Sequence, residues 1–203
     1  DNDFRILSQL YLAKINQVIA DQTLSQEKKQ KELQEAISRG EVAVQIATQV
    51  NPADSLNWQQ LAIFYENIVF LVDKAAELAI SNYQKAAQLD PKNPQIPLSL
   101  GRVFVAIAQK IQQNILIVQA EEGAEEKIAQ LQDLYNQNLE LALENFEKSR
   151  DLKPNFSSAY HWIAQIYEAQ GKRDLALENY QRVLQLEPGN EEVQKRIEAL
   201  QAQ

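Results

Sequence analysis

His161 is the only imidazole in the 203-residue sequence, so histidine-based proton transfer or metal ligation would have to centre on it. Catalysis needs a nucleophile, a base and an orienting group that converge, and little here supplies them. There is no cysteine, no glycine-rich phosphate loop, no paired-histidine metal motif and no nucleophile elbow. The acidic run Glu121, Glu122, Glu125 and Glu126 lacks the spacing of a calcium loop. It reads as solvated charge, with Glu125 and Glu126 suited to the positive end of a following helix. Trp58, Tyr65, Tyr83, Tyr160, Tyr167 and Tyr180 could line a ligand cage, but they recur at regular packing positions. The expectation is a non-enzyme without catalytic residues, metal or cofactor. His161 is read as a polar surface contact.

The charge balance narrows the partners. A formal net charge of −8 argues against nucleic acid, whose binding displaces counterions with a basic face, and against anionic lipid. No apolar run approaches the roughly 18 residues of a membrane span, so this segment is not expected to insert into a bilayer. No signal peptide is visible. Methionine is absent, even at position 1, which reads as excision from a longer chain. The compartment is left open between the cytoplasm and an extracytoplasmic part of a larger membrane protein.

Proteins or peptides are then the natural partners, and the elements that would present them are repeats. Four quartets recur with spacings of four, three and five: Gly40–Val44–Ala47–Pro52, Ala79–Tyr83–Ala86–Pro91, Ala142–Phe146–Ser149–Pro154 and Ala176–Tyr180–Val183–Pro188. Each is a helical face stopped by proline. Upstream of each lies a quartet with spacings of three, one and three: Phe4–Leu7–Ser8–Tyr11, Trp58–Leu61–Ala62–Tyr65, Pro97–Leu100–Gly101–Phe104 and Tyr160–Ile163–Ala164–Tyr167. Offsets of three, four and seven share one helical face. The small member lets a neighbouring helix approach, and the aromatic member fills the space beside it.

These residues resemble the tetratricopeptide repeat, which Ser157 to Asn190 matches at full length with Gly171 in its turn. The resemblance implies an all-α, right-handed superhelix of about four helix pairs, read as one domain over 1–203. Its repeats are about 1–53, 54–92, 93–155 and 156–189, with a capping helix over 190–203 to keep the array's end polar. The other repeats are lengthened between their helices. In the third, helices over about 95–120 and 125–152 should form a projecting hairpin, and in the first a helix N-capped by Ser25 should run to Val50. In the apolar run Ile115, Leu116, Ile117 and Val118, two readings stay open: burial within the arm, or a patch that docks a partner or a second copy.

By the same resemblance, Gln59, Ile63, Glu66, Asn67, Leu98, Arg102, Val105, His161, Gln165 and Glu168 are the candidate concave groove for a peptide or protein. Only Arg102 suits a clamp for a terminal carboxylate, so none is expected. The segments Phe4–Tyr11, Asn51–Pro52 with Asn57–Trp58, and Asn93–Pro94 with Leu100–Gly101–Arg102 also resemble the repeat-bearing tails of bacterial O-antigen ligase and polymerase membrane proteins. That resemblance implies an alternative role as an extracytoplasmic accessory domain of a glycan-handling enzyme.

Overall fold

A computed structural model describes residues 1–202. Among them are nine α-helices and no strand: α1 (Asn2–Ala20), α2 (Gln26–Val50), α3 (Ser55–Asn67), α4 (Ala75–Leu89), α5 (Gln95–Val118), α6 (Glu125–Leu152), α7 (Ser157–Ala169), α8 (Arg173–Leu186) and α9 (Glu191–Gln201). The all-α class is as expected, in four antiparallel pairs and a terminal helix. No helix among the described residues is long and apolar enough to cross a membrane.

The second helix of every pair ends for one reason. Asn51, Asp90, Lys153 and Glu187 cap α2, α4, α6 and α8 with ψ of 82, 74, 88 and 75°, and each precedes a proline, whose ring excludes helical geometry from its neighbour. The next helix then ties back to that proline. Trp58 Nε1 donates to the Pro52 carbonyl at 2.8 Å and Tyr160 Oη to the Pro154 carbonyl at 3.1 Å, from matching repeat positions. Ser25 caps α2 as expected, accepting from the Lys28 amide.

The chain divides into two compact units, Asp1–Pro91 and Lys92–Gln203. In the first, α1 to α4 bury Ile15, Val18, Val44, Phe64, Tyr65 and Tyr83. The small positions set the helix spacing: a Cβ added to Gly40 would lie 2.4 Å from Phe64 Cε2. Residues 68–74 form an irregular link that buries Ile68 and Val69 and exposes Phe70 and Leu71.

In the second unit, α5 and α6 form the expected long hairpin. At about 1.5 Å per residue its arms run roughly 36 and 42 Å. Gly123 turns the chain with φ +72°, a region costly to side-chain-bearing residues. Gly171 does the same between α7 and α8 with φ +71°. One core cluster joins Leu98 and Ala108 to Leu139, Ala142 and Phe146 and to Ile163 and Ile166 of α7. Phe146 stacks on Trp162, the ring centroids 5.5 Å apart. A second cluster seats Val193, Ile197 and Leu200 of α9 on Tyr180 and Val183 of α8, leaving the polar residues of α9 outermost as a cap requires.

Candidate interaction surfaces

The candidate groove residues have unequal fates. In the first unit, Gln59 is only 8% exposed. Its amide donates to Ser55 Oγ, which donates to the Ala86 carbonyl, so Gln59 struts α3 against α4. Ile63 is half-buried, and Asn67 is exposed with its amide turned back to the Ile63 carbonyl. In the second unit, Leu98 is 3% exposed and belongs to the core. Burial corrects the surface placement of Gln59 and Leu98: helical phase puts them beside the groove, but neighbouring helices close over them.

Glu66 and Glu168 follow a rule that the repeat register reveals. Both directly follow the aromatic member of the first helix, Tyr65 or Tyr167. Each accepts from the tyrosine hydroxyl of its pair's second helix, Tyr83 to Glu66 and Tyr180 to Glu168. Where the second helix carries Phe146 or Val44, the matching residue is Val105 or Leu12. A phenol buried in a helix pair needs an acceptor, and a phenyl or isopropyl group does not. Aligning the four quartets one residue further would have exposed this pairing in the sequence.

Burial pushes the Tyr180 hydroxyl up to about 12, with the Glu168 hydrogen bond second in effect. Tyr65, which donates to Glu41 at 2.6 Å, is likewise pushed up to about 12, mainly by burial. Both folded values exceed the ordinary phenol's, so the stability these groups contribute is complete below about pH 10. It is lost as pH rises through about 12. In a titration followed by tyrosinate absorbance, these two of the seven tyrosines, together with Tyr167, which burial also pushes up, are expected to ionise late in the native chain and normally in denaturant. Seven coincident native titrations would refute the assignment.

Around Glu168 the second unit opens a cleft of about 650 Å³ lined by His161, Gln165, Tyr180, Lys195 and Arg196 among others. Arg196 grips Glu168 with two nitrogens, at 2.7 and 2.8 Å, so α9 forms one wall. Gln165 Nε2 and His161 Nε2 are hydrogen-bonded at 2.8 Å, and His161 meets the Tyr180 ring edge-on. A smaller slot of about 190 Å³ lies between α5, α6 and α7 against Val105, Tyr135, Leu139 and Trp162. Gln165 and Ala169 line both hollows, so a polar cleft and an apolar slot meet across α7. Arg102, of the same candidate set, is half-buried on α5.

The arm run does not act as one patch. Ile115 and Val118 are each 2% exposed, inside the α5–α6 seam, whereas Leu116 and Ile117 are 61% and 68% exposed. Helical phase divides four consecutive apolar residues between two faces. At the arm's tip Glu121 pairs with Lys127 at 3.2 Å. Among the described residues no three acidic or histidine side chains gather as metal ligands.

The family model described as "Regulator of microtubule dynamics protein 1-3" matches residues 5–203. No curated protein sequence matches. Among solved structures, the chain is similar to the first tetratricopeptide domain of Spaghetti (RPAP3) bound to the HSP90 peptide SRMEEVD, with TM-score 0.52 and 18% identity over 73% of this chain and 93% of that one. The first such domain of human RPAP3 gives the same score and identity over 75% and 93%. MamA of MSR-1 gives 0.52 at 16% identity over 92% and 94%. These likenesses establish the tetratricopeptide fold.

Proposed function

The chain belongs to the family of regulator of microtubule dynamics proteins 1-3, and from that premise we propose that it is a non-catalytic scaffold whose second unit holds an extended segment of a microtubule-associated partner. The observation that carries this reading is the union of the two hollows across α7. The slot against Val105, Tyr135 and Trp162 suits one apolar side chain, and the cleft beside His161, Glu168 and Arg196 suits the polar residues following it. A few placed polar groups beside an apolar pocket fix both register and orientation. The fold is one in which another protein, the first domain of Spaghetti, holds a short peptide. The net charge of −8 favours a segment without acidic excess. The chemistry stays with the partner.

The test is co-sedimentation of the full chain with assembled microtubules, with and without a cell extract to supply a bridging partner. The chain is expected in the pellet. Val105→Glu and Gln165→Arg change half-buried groove positions, Val105 packing against the edge of the core cluster, and each variant, with wild-type helicity by circular dichroism, is expected to reduce pelleting at least about tenfold. Pelleting that neither change affects would exclude this groove. No pelleting under either condition would exclude the microtubule reading.

A further inference from the structure

The carboxylate of Glu168 already holds a guanidinium, and the chain itself supplies it. Arg196 reaches over from α9 and sets Nε against Oε2 at 2.8 Å and Nη2 against Oε1 at 2.7 Å. Tyr180 adds a third bond, its hydroxyl donating to Oε2 at 2.9 Å. The buried phenol needs one acceptor, and Glu168 provides it without the arginine.

The place of α9 does not depend on this pair either. Val193, Ile197 and Leu200 are buried against Tyr180 and Val183, and that apolar seat holds the helix. The ion pair lies in the wall of the cleft of about 650 Å³, with the Arg196 side chain 57% exposed and that of Glu168 21%. So exposed a pair contributes little to stability, because water solvates both partners when they part. It can open without moving a helix.

A weak pair placed where a ligand would sit is a competitor for that ligand. We infer that Arg196 is a tethered stand-in for an arginine of the partner segment, which takes its place on Glu168 when the segment binds. This rests on the reading that the second unit holds an extended segment across α7, and it names one residue of that segment. A carboxylate has about four lone-pair sites, and three bonds already fill Glu168. A second guanidinium bonding through two nitrogens therefore has to displace the first. Planar two-point recognition selects arginine over lysine.

Charge and spacing agree. Residues 92–203 hold sixteen acidic and twelve basic side chains, so the unit's field attracts a cation. Of the other charged residues lining the cleft, Glu192 and Lys195 offset each other. The apolar slot and the cleft lie on either side of α7. A helix is about 10 Å across, a distance that three extended residues span at about 3.3 Å each. The segment thus reads as an apolar residue, two spacers and an arginine.

The probe is the peptide acetyl-Leu-Gly-Gly-Arg-amide, titrated into the full chain carrying Trp58→Phe. Trp162 lines the slot and then reports binding by its fluorescence. The same peptide with citrulline for arginine keeps the shape without the charge, and is expected to bind at least about tenfold more weakly. Arg196→Met keeps the stem of the side chain while freeing Glu168. It is expected to retain wild-type helicity and to tighten binding of the arginine peptide about three- to fivefold. Glu168→Gln is expected to erase the preference for arginine over citrulline. Arg182→Met makes the same change in net charge beside Tyr160 and is expected to leave the affinity unchanged. Weaker or unaltered binding by Arg196→Met overturns the inference, as does equal tightening by Arg182→Met. Equal affinity for the two peptides overturns it while leaving the groove intact. Binding of neither peptide by any form also overturns it, and co-sedimentation of the wild-type chain then decides the microtubule reading separately.

Discussion

Phe146→Ala is expected to remove about 3–5 kcal/mol of stability from the second unit. The ring is fully buried at 0% exposure and touches three elements at once. It stacks on Trp162 of α7, belongs to a cluster shared with α5, and occupies the space that Gly101 leaves by having no side chain. Truncation therefore opens a cavity walled by helices that cannot all collapse inward. Against a typical total of about 5–15 kcal/mol, this is a large share. The chain's two tryptophans fall one to each unit, Trp58 in the first and Trp162 in the second. Urea unfolding of a Trp58→Phe background, followed by fluorescence, reports the second unit alone. A loss below about 1 kcal/mol would mean that the ring is not the keystone its burial indicates.

Gly101→Ala is expected to cost about 1–3 kcal/mol, although the same change in a free helix would gain about 1 kcal/mol. The added Cβ would lie 2.4, 2.6 and 2.8 Å from three atoms of the Phe146 ring. Contact with Trp162 leaves that ring little room to turn aside. Gly40→Ala meets the same obstacle in the first unit, 2.4 Å from Phe64 Cε2 and 3.0 Å from Tyr11 Cβ. The signature is coupling. In a Phe146→Leu background the Gly101→Ala penalty should largely vanish, giving an interaction energy of about 0.5–3 kcal/mol in a double-mutant cycle. Additive effects would show that the two positions do not meet. Gly189, with nothing within 4 Å of an added Cβ, is the control without a steric penalty.

Much of this architecture is legible because it depends on local rules repeated along the chain. Proline after each second helix, Ser25 before α2, and Gly123 and Gly171 at positive φ act within a few residues of themselves. Their consequences need no knowledge of distant partners. The Ala142–Phe146 and Gly101–Phe104 spacings likewise announce a packed face. The looser resemblance to O-antigen ligase tails rests on Phe4–Tyr11, Asn51–Pro52 with Asn57–Trp58, and Asn93–Pro94 with Leu100–Gly101–Arg102, segments that include packing positions of the repeat such as Trp58, Leu100 and Gly101.

The functional surfaces were less legible. Gln59 and Leu98 share the helical phase of true surface residues, yet both are buried. Glu168 was expected to await a ligand, and instead it accepts from Tyr180 and holds Arg196 of α9. Its role depends on a helix 28 residues further along. Ile115 to Val118 looked continuous in the sequence, but the helix turns two of them inward and two outward.

The sequence by itself determined where helices start and stop, which of their faces are apolar, and that the chain is built of paired repeats. Periodicity and proline chemistry are properties of neighbouring residues. Only the tertiary structure decided which apolar and charged side chains remain available, because availability depends on whether another helix arrives to cover them. Leu61 and Leu7 occupy the same repeat position and share one side chain; α2 lies over the first, and no described helix lies over the second.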